Sequence, residues 1–115
     1  SAVGLLSAAP SSVAASTQAL SWTQQIPAAS PSARSNSTMA YDAATSTTVL
    51  FGGQGTATFG DTWTWDGTTW TQQHPAASPP SRVAPVLAYD TASGNAVLFG
   101  GNNTTGDLDD TWTWG

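Results

Sequence analysis

One segment occurs twice in this sequence: Asp-Thr-Trp-Thr-Trp at Asp61–Trp65 and again at Asp110–Trp114. The same two segments precede each copy, first Ala-Tyr-Asp and then Val-Leu-Phe-Gly-Gly. Equivalent residues lie 48 positions apart before the Gly-Gly doublets, as in Trp22 and Trp70, and 49 positions apart after them. A fixed internal period restricts the possible folds more than any other property of a chain, because each repeat must form the same structural unit.

Each period contains several short strand patterns and no helical pattern. Thr47–Phe51 is a β-branched and aromatic run, which favours a buried strand. Thr62–Trp65 alternates strictly, so both tryptophans share one face of a strand. The Asp66-Gly67 turn predicts a hairpin to the next strand. The predicted strands are Ser37–Tyr41, Thr47–Phe51, Thr62–Trp65 and Thr69–His74, then Val83–Tyr89, Asn95–Phe99 and Thr111–Trp114.

The strand count predicts an unfinished second unit. Residues 35–74 supply a complete four-stranded unit, whereas residues 83–115 supply only three strands. Leu20–Ile26 has the sequence of the missing fourth strand but precedes the first unit. We therefore expect it to pair with Thr111–Trp114 of a neighbouring copy. Such a head-to-tail contact produces either a closed ring or a filament.

A period of about 50 residues with several strands per unit is typical of β-propeller blades. The predicted fold is all-β, with two four-stranded antiparallel blades. Propellers contain roughly four to eight blades, so one chain cannot close a ring. Exposed apolar sheet faces cost about 25 cal/mol per Å². We therefore expect a propeller to form only by oligomerisation.

The combination of Gly52-Gly53, Trp63, Trp65 and Trp70, with its second copy, resembles the kelch repeat over Ser21–Gly115. Trp65 and Trp114 depart from it, since the family usually has tyrosine there, and the turn Asp66–Thr69 is shorter than usual. Arg34 and Arg82 match the arginine that opens the family's repeat. The resemblance implies that these arginines begin the strand nearest the propeller axis.

Repetition favours a packing role for the tryptophans over sugar stacking, because packing requires the same residue in every repeat. The predicted core or interface residues are Trp22, Trp63, Trp65, Trp70, Trp112 and Trp114. For Arg34 and Arg82, the first interpretation is a bond to backbone carbonyls or to an aspartate of the next blade. The alternative is a ring of guanidinium groups that holds an anion in an axial channel.

The titratable inventory argues against an enzyme. His74 is the only histidine, and the chain has no cysteine, lysine or glutamate, so nucleophilic triads and paired glutamates are missing. Some kelch-like propellers carry copper oxidase sites of His, Tyr and Cys, and this chain lacks that set. Asp42, Asp61, Asp90 and Asp110 are expected in turns. Calcium is a weaker alternative for the cluster Asn102, Asn103, Asp107, Asp109 and Asp110, so no metal or cofactor is expected.

The composition excludes further partners. Only 8% of residues are charged, the net charge is −5, and Arg34 and Arg82 are the only cations, which argues against nucleic acid and anionic membrane surfaces. No apolar run approaches the roughly 20 residues of a membrane helix. A lysine-free Ser/Thr/Ala/Gly surface is typical of secreted bacterial proteins, and Ser1 is interpreted as the residue left after signal cleavage.

The predicted organisation is a tail or docking arm at residues 1–19, with an apolar cluster at Ala2–Leu6, followed by the two repeats at residues 20–115. The function expected first is structural: a secreted protein whose copies join head to tail by strand exchange. The alternative is a module that binds glycan or protein through the loops Gly53–Gly60 and Gly101–Asp109, by itself or as a fragment of a longer propeller.

Overall fold

The computed structural model describes residues 19–115, and within this range the protein is all-β with no helix. The predicted arm at residues 1–19 lies almost wholly outside the described residues. The strands are β1 (Thr38–Asp42), β2 (Thr47–Phe51), β3 (Thr62–Trp65), β4 (Trp70–Gln73), β5 (Val86–Asp90), β6 (Asn95–Phe99), β7 (Asn102–Asn103), β8 (Gly106–Asp107) and β9 (Thr111–Trp114).

The first sheet is a four-stranded antiparallel meander in the order β1-β2-β3-β4. Its last hairpin is closed by the Asp66 carboxylate, whose Oδ1 accepts hydrogen bonds from the amides of Thr68 and Thr69 at 2.9 and 2.8 Å. Gly67 takes the left-handed conformation in this turn, with φ 107°. The short turn that the sequence indicated is therefore stabilised by its own aspartate, as in other Asx turns.

The second sheet has only three strands, in the order β5-β6-β9. Its strands repeat the register of the first sheet: Leu98 lies opposite Trp112 as Leu50 lies opposite Trp63. No strand of the described residues pairs with the far edge of β9, where β4 lies in the first sheet. The second unit is therefore a three-stranded sheet without the outer strand that the first sheet has, as the sequence predicted.

Two details of the second repeat differ from the sequence-based expectation. The predicted strand Val83–Tyr89 is wrong at its start, because Val83 forms only an isolated bridge to Asn102 and β5 begins at Val86. Pro85 lies between the bridge and the strand and has no amide to donate. The segment predicted as a loop at residues 101–110 contains the small hairpin β7-β8.

Leu20–Ile26 belongs to no strand and is paired with none of the described residues. Trp22 in its centre is 103% exposed. A strand needs a neighbour to complete its main-chain hydrogen bonds. The edge of β9 that β4 covers in the equivalent place of the first sheet is the matching free edge. The exchange of Leu20–Ile26 between copies thus stays a prediction.

Each sheet has two chemically different faces, named here by their aromatic residues. The Phe face of the first sheet carries Val49, Phe51, Thr62 and Thr64, and that of the second carries Val97, Phe99, Thr111 and Thr113. The Trp face of the first sheet carries Met39, Tyr41, Leu50, Trp63, Trp65 and Trp70, and that of the second carries Leu87, Tyr89, Ala96, Leu98, Trp112 and Trp114.

Candidate functional site

The two sheets pack against each other through unlike faces. A cleft at their junction is lined by Val49, Phe51 and Thr62 from the Phe face of the first sheet. Its other wall is formed by Leu98 and Trp112, among others, on the Trp face of the second sheet. The core of the described chain is therefore a junction in which a Phe face lies on a Trp face.

On the Phe faces, burial follows this junction when equivalent residues are compared. Phe51 is 3% exposed within the junction, whereas its equivalent Phe99 is 50% exposed. Thr62 and Thr64 are buried at 6% and 9%, whereas Thr111 on the second Phe face is exposed. Identical residue types thus differ in burial only because one Phe face is covered and the other is open.

Two apolar faces remain uncovered by the described residues. The Trp face of the first sheet exposes Met39 and Tyr41 at 52% and 56%. The Phe face of the second sheet exposes Val86 and Phe99 at 65% and 50%. Contiguous apolar surface of this kind marks interaction sites in proteins. The uncovered pair is again one Trp face and one Phe face, the combination that packs within the chain.

Arg34 and Arg82 occupy equivalent sites in the two repeats, and both side chains are buried. Arg82 is fully buried and donates two bonds to the Asp110 carboxylate, at 2.6 and 2.7 Å, and one to the Gly100 carbonyl at 2.9 Å. Arg34 bonds Asp61 at 2.6 and 3.0 Å and lies 4.1 Å from the Phe59 ring centre. Both side chains bond carbonyls, as expected, but their aspartate partners belong to the same blade.

Asp61 and Asp110 were expected as turn residues, and this expectation was wrong. Each carboxylate holds an arginine and also accepts the indole N–H of the tryptophan two residues later, at 2.8 Å in both repeats. Side chains alternate between the two faces along an extended chain, so the aspartate and the tryptophan two residues later lie on the same face and can form this hydrogen bond. By contrast, Asp42 and Asp90 are turn residues as expected, since each accepts a backbone amide two residues later.

The ion pairs lower the pKa of both carboxyl groups. Hydrogen bonds from Arg82 and then Trp112 hold the pKa of Asp110 well below its ordinary value. Burial acts to raise the pKa of Asp61, but bonds from Arg34 and Trp63 outweigh it and the pKa is lowered. A carboxyl with a lowered folded-state pKa stabilises the fold above its ordinary pKa, and this contribution is lost as the pH falls through the lowered value.

The six tryptophans fall into three groups. Trp112 and Trp114 line the junction between the sheets. Trp63, Trp65 and Trp70 lie on the open Trp face of the first sheet, where the rings of Trp65 and Trp70 are 5.4 Å apart and tilted by 50°. Trp22 is fully exposed. Within the described chain, only the second repeat therefore uses its tryptophans between sheets.

Two members of the predicted calcium cluster have their side-chain oxygens engaged elsewhere. The Asn103 side-chain oxygen accepts two bonds from Thr105, at 2.9 and 2.6 Å, and Asp110 holds Arg82. Residues 19–115 contain no group of three or more His, Cys, Asp or Glu side chains placed to hold a metal ion. His74 is exposed and lines a polar cleft with Gln73 and Ser78.

The sequence matches no protein-family model, and no curated protein is significantly similar to it. In the part of the chain that the structure describes, no helix is long and apolar enough to cross a membrane.

Proposed function

We propose that this chain is a structural, secreted protein whose copies assemble head to tail into a β-propeller ring or a filament. One observation carries the proposal: the junction inside the chain joins a Phe face to a Trp face, and one face of each kind is left open. When two copies pack as the two sheets of one chain do, the open Phe face of one copy is covered by the open Trp face of the next. Because the two open faces differ, the contact is heterologous and repeats from copy to copy.

The free edge of β9 supports the same arrangement. Within the chain, β4 is the outer strand of the first sheet, and the connector that follows it leads directly to the second sheet. Leu20–Ile26 precedes the first sheet through a closely similar connector, 27–34. We propose that this segment is the outer strand of the preceding copy's second sheet. Main-chain pairing and face packing then act at one junction.

The residues that the structure describes supply no constellation for covalent chemistry, and the two arginines are engaged in ion pairs. The resemblance to the kelch repeat fits the proposal, because the blades of a propeller pack face to face around an axis. Apolar burial is the driving force for such packing, at about 25 cal/mol per Å² removed from water.

Two single-charge variants test the assembly. Phe99→Glu places a charge on the open Phe face, and Met39→Glu places one on the open Trp face. Since burying an unpaired charge is costly, each variant alone should fail to assemble beyond a single copy. Ala92→Glu, in an exposed turn away from both faces, is the matched control and should assemble like the wild type.

Mixing the two blocked variants distinguishes a head-to-tail contact from a symmetric one. Phe99→Glu keeps an intact Trp face and Met39→Glu keeps an intact Phe face, so the mixture should form one-to-one dimers and nothing larger. Native mass spectrometry reads the stoichiometry directly. A wild-type protein that remains monomeric at high concentration would refute the proposal, and so would blocked variants that assemble normally.

A further inference from the structure

Three main-chain hydrogen bonds join the first sheet to the second at one end of their junction. The Gly53 amide donates to the Arg82 carbonyl at 3.0 Å, and the Arg82 amide donates to the Phe59 carbonyl at 3.1 Å. The Ala84 amide donates to the Asn36 carbonyl at 2.8 Å. All three bonds join loop segments of the first repeat to those of the second, so they hold the two repeats at a fixed separation.

The equivalent groups on the open sides have no such partners. In residues 19–115, the amides of Arg34, Asn36 and Gly101 find no acceptor, and the carbonyls of Arg34, Ala84 and Leu108 find no donor. Several bonds that stay inside one repeat, by contrast, are present in both repeats. The amide of Ser35 and that of its equivalent Val83 donate at 2.8 and 2.9 Å to residues of their own repeat, and the amides of Phe59 and its equivalent Leu108 donate to the carbonyls of Gly53 and Gly101. Within the described part of the chain, the three bonds between the repeats have no second occurrence.

We infer that the junction between copies repeats this set. The Gly101 amide donates to the Arg34 carbonyl of the next copy, and the Arg34 amide donates back to the Leu108 carbonyl. The Asn36 amide donates to the Ala84 carbonyl of the preceding copy. This inference rests on the proposed head-to-tail assembly and specifies its atoms, because each group takes the partner that its equivalent has within the chain.

The glycine doublets provide an independent observation. Gly52 and Gly100 have nearly the same left-handed φ, 72° and 71°. A Cβ added to Gly52 would lie 2.8 Å from the Arg82 carbonyl oxygen, because the next sheet's backbone packs directly on it. A Cβ added to Gly100 would meet only the Leu108 carbonyl, at 3.3 Å. The space occupied by Arg82 at the first doublet is thus open at the second.

Hydrogen–deuterium exchange resolved to single residues, by mass spectrometry with electron-transfer fragmentation, tests the inference. The amides of Gly53, Arg82 and Ala84 are the internal controls and should be protected in the wild type and in Phe99→Glu alike. The amides of Arg34, Asn36 and Gly101 should be protected in the wild-type assembly and exchange on the order of 100-fold faster in the blocked variant.

Each outcome bears on a separate claim. If the wild type assembles but Arg34, Asn36 and Gly101 exchange as fast as in the blocked variant, the inferred bonds are wrong and the assembly proposal stands. If the wild type does not assemble, the proposed function itself fails. Fast exchange of the control amides in Phe99→Glu would mean that this variant is misfolded, and Met39→Glu then supplies the same comparison on the opposite face.

Discussion

Arg34 and Arg82 are equivalent residues with unequal burial. Arg82 lies beneath the covered junction and its side chain is 0% exposed, whereas the side chain of Arg34 is 5% exposed. A buried guanidinium is tolerated only where its donors are satisfied. Arg82 meets this condition with both carboxylate oxygens of Asp110 and the carbonyls of Pro80 and Gly100. The planar guanidinium group donates hydrogen bonds to all of these acceptors at once.

Lysine at position 82 keeps the charge but lacks the planar set of N–H donors that arginine has. We expect Arg82→Lys to lower the free energy of unfolding by about 2 kcal/mol, the scale of one or two hydrogen bonds to charged groups. Urea unfolding of the Phe99→Glu single copy measures this without interference from assembly. Thr68→Ser, in the exposed hairpin turn, is a mild control. An unchanged unfolding midpoint for Arg82→Lys would show that the charge alone, without the planar guanidinium, accounts for the contribution of Arg82 to stability.

At the scale of elements, the sequence predicted strands well where alternation and β-branching agree. β2, β3, β6 and β9 begin and end where the pattern placed them, and β1 is displaced by one residue. The predicted strand Val83–Tyr89 starts too early, because valine favours strands. In the structure Val83 bridges Asn102, and Pro85 separates it from β5. The two-residue strands β7 and β8 are too short for any periodicity.

The sequence predicted less of the candidate site than of the strands. The repeated tryptophans indicated packing surfaces, but which of them are covered depends on how one sheet lies on the other. The pairing of Arg34 with Asp61 and of Arg82 with Asp110 spans 27 and 28 residues. The recurrence of Arg and Asp in both repeats indicates an aspartate partner for each arginine, but the sequence alone does not show that the partner lies in the same repeat rather than in the next one.

The register of the proposed exchanged strand follows from β4. Thr71 lies opposite Thr64 and Gln72 opposite Trp63. The equivalent pairing places Thr23 of one copy opposite Thr113 of another. Since the chain has no cysteine, Thr23→Cys with Thr113→Cys introduces the only two thiols. Cβ atoms of directly opposite residues lie about 4.5–5.5 Å apart, within reach of a short thiol crosslinker such as dibromobimane.

We expect this pair to give a ladder of covalent multimers on a denaturing gel. Thr64→Cys with Thr71→Cys is the matched control and should link within one chain, leaving monomers. Gln24→Cys with Thr113→Cys places the thiols on opposite faces and should link poorly. If the Thr23 and Thr113 thiols joined within a single chain, or if the Gln24 pair linked best, the proposed register would be excluded.

For the whole molecule, one close contact of the junction within the chain is changed in the proposed junction between copies. A Cβ on Gly60 would lie 2.7 Å from the Ser81 Oγ and 3.1 Å from its Cα. The equivalent of Gly60 in the second repeat is Asp109, and the equivalent of Ser81 is Ala33. The alanine removes the hydroxyl, but the backbone contact remains tight. We infer that successive copies are spaced slightly wider there than the two sheets of one chain, which affects the rotation per copy and hence ring closure.

Trp63 and Trp112 are equivalent, and each donates its indole N–H to the aspartate two residues earlier. They differ in that Trp112 lines the junction within the chain, whereas Trp63 faces the proposed neighbour. In a single copy, Trp112→Ala should lower the free energy of unfolding by about 3 kcal/mol, the low end for large aromatic truncations in cores. In the same single copy, Trp63→Ala should lower the free energy of unfolding by clearly less, because it opens no cavity between the sheets.

Assembly should remove this asymmetry, since the second sheet of the preceding copy would cover Trp63 as the first sheet of a chain covers Trp112. We therefore expect Trp63→Ala to cost about as much as Trp112→Ala when unfolding is measured on the assembled protein. Because an oligomer's stability depends on protomer concentration, urea titrations at several concentrations separate the two contributions. The Phe99→Glu background supplies the single-copy reference. Suppose that the wild type assembles while Trp63→Ala still lowers the free energy of unfolding by less than Trp112→Ala at every concentration. In that case the Trp face of the first sheet would not be the surface through which copies join.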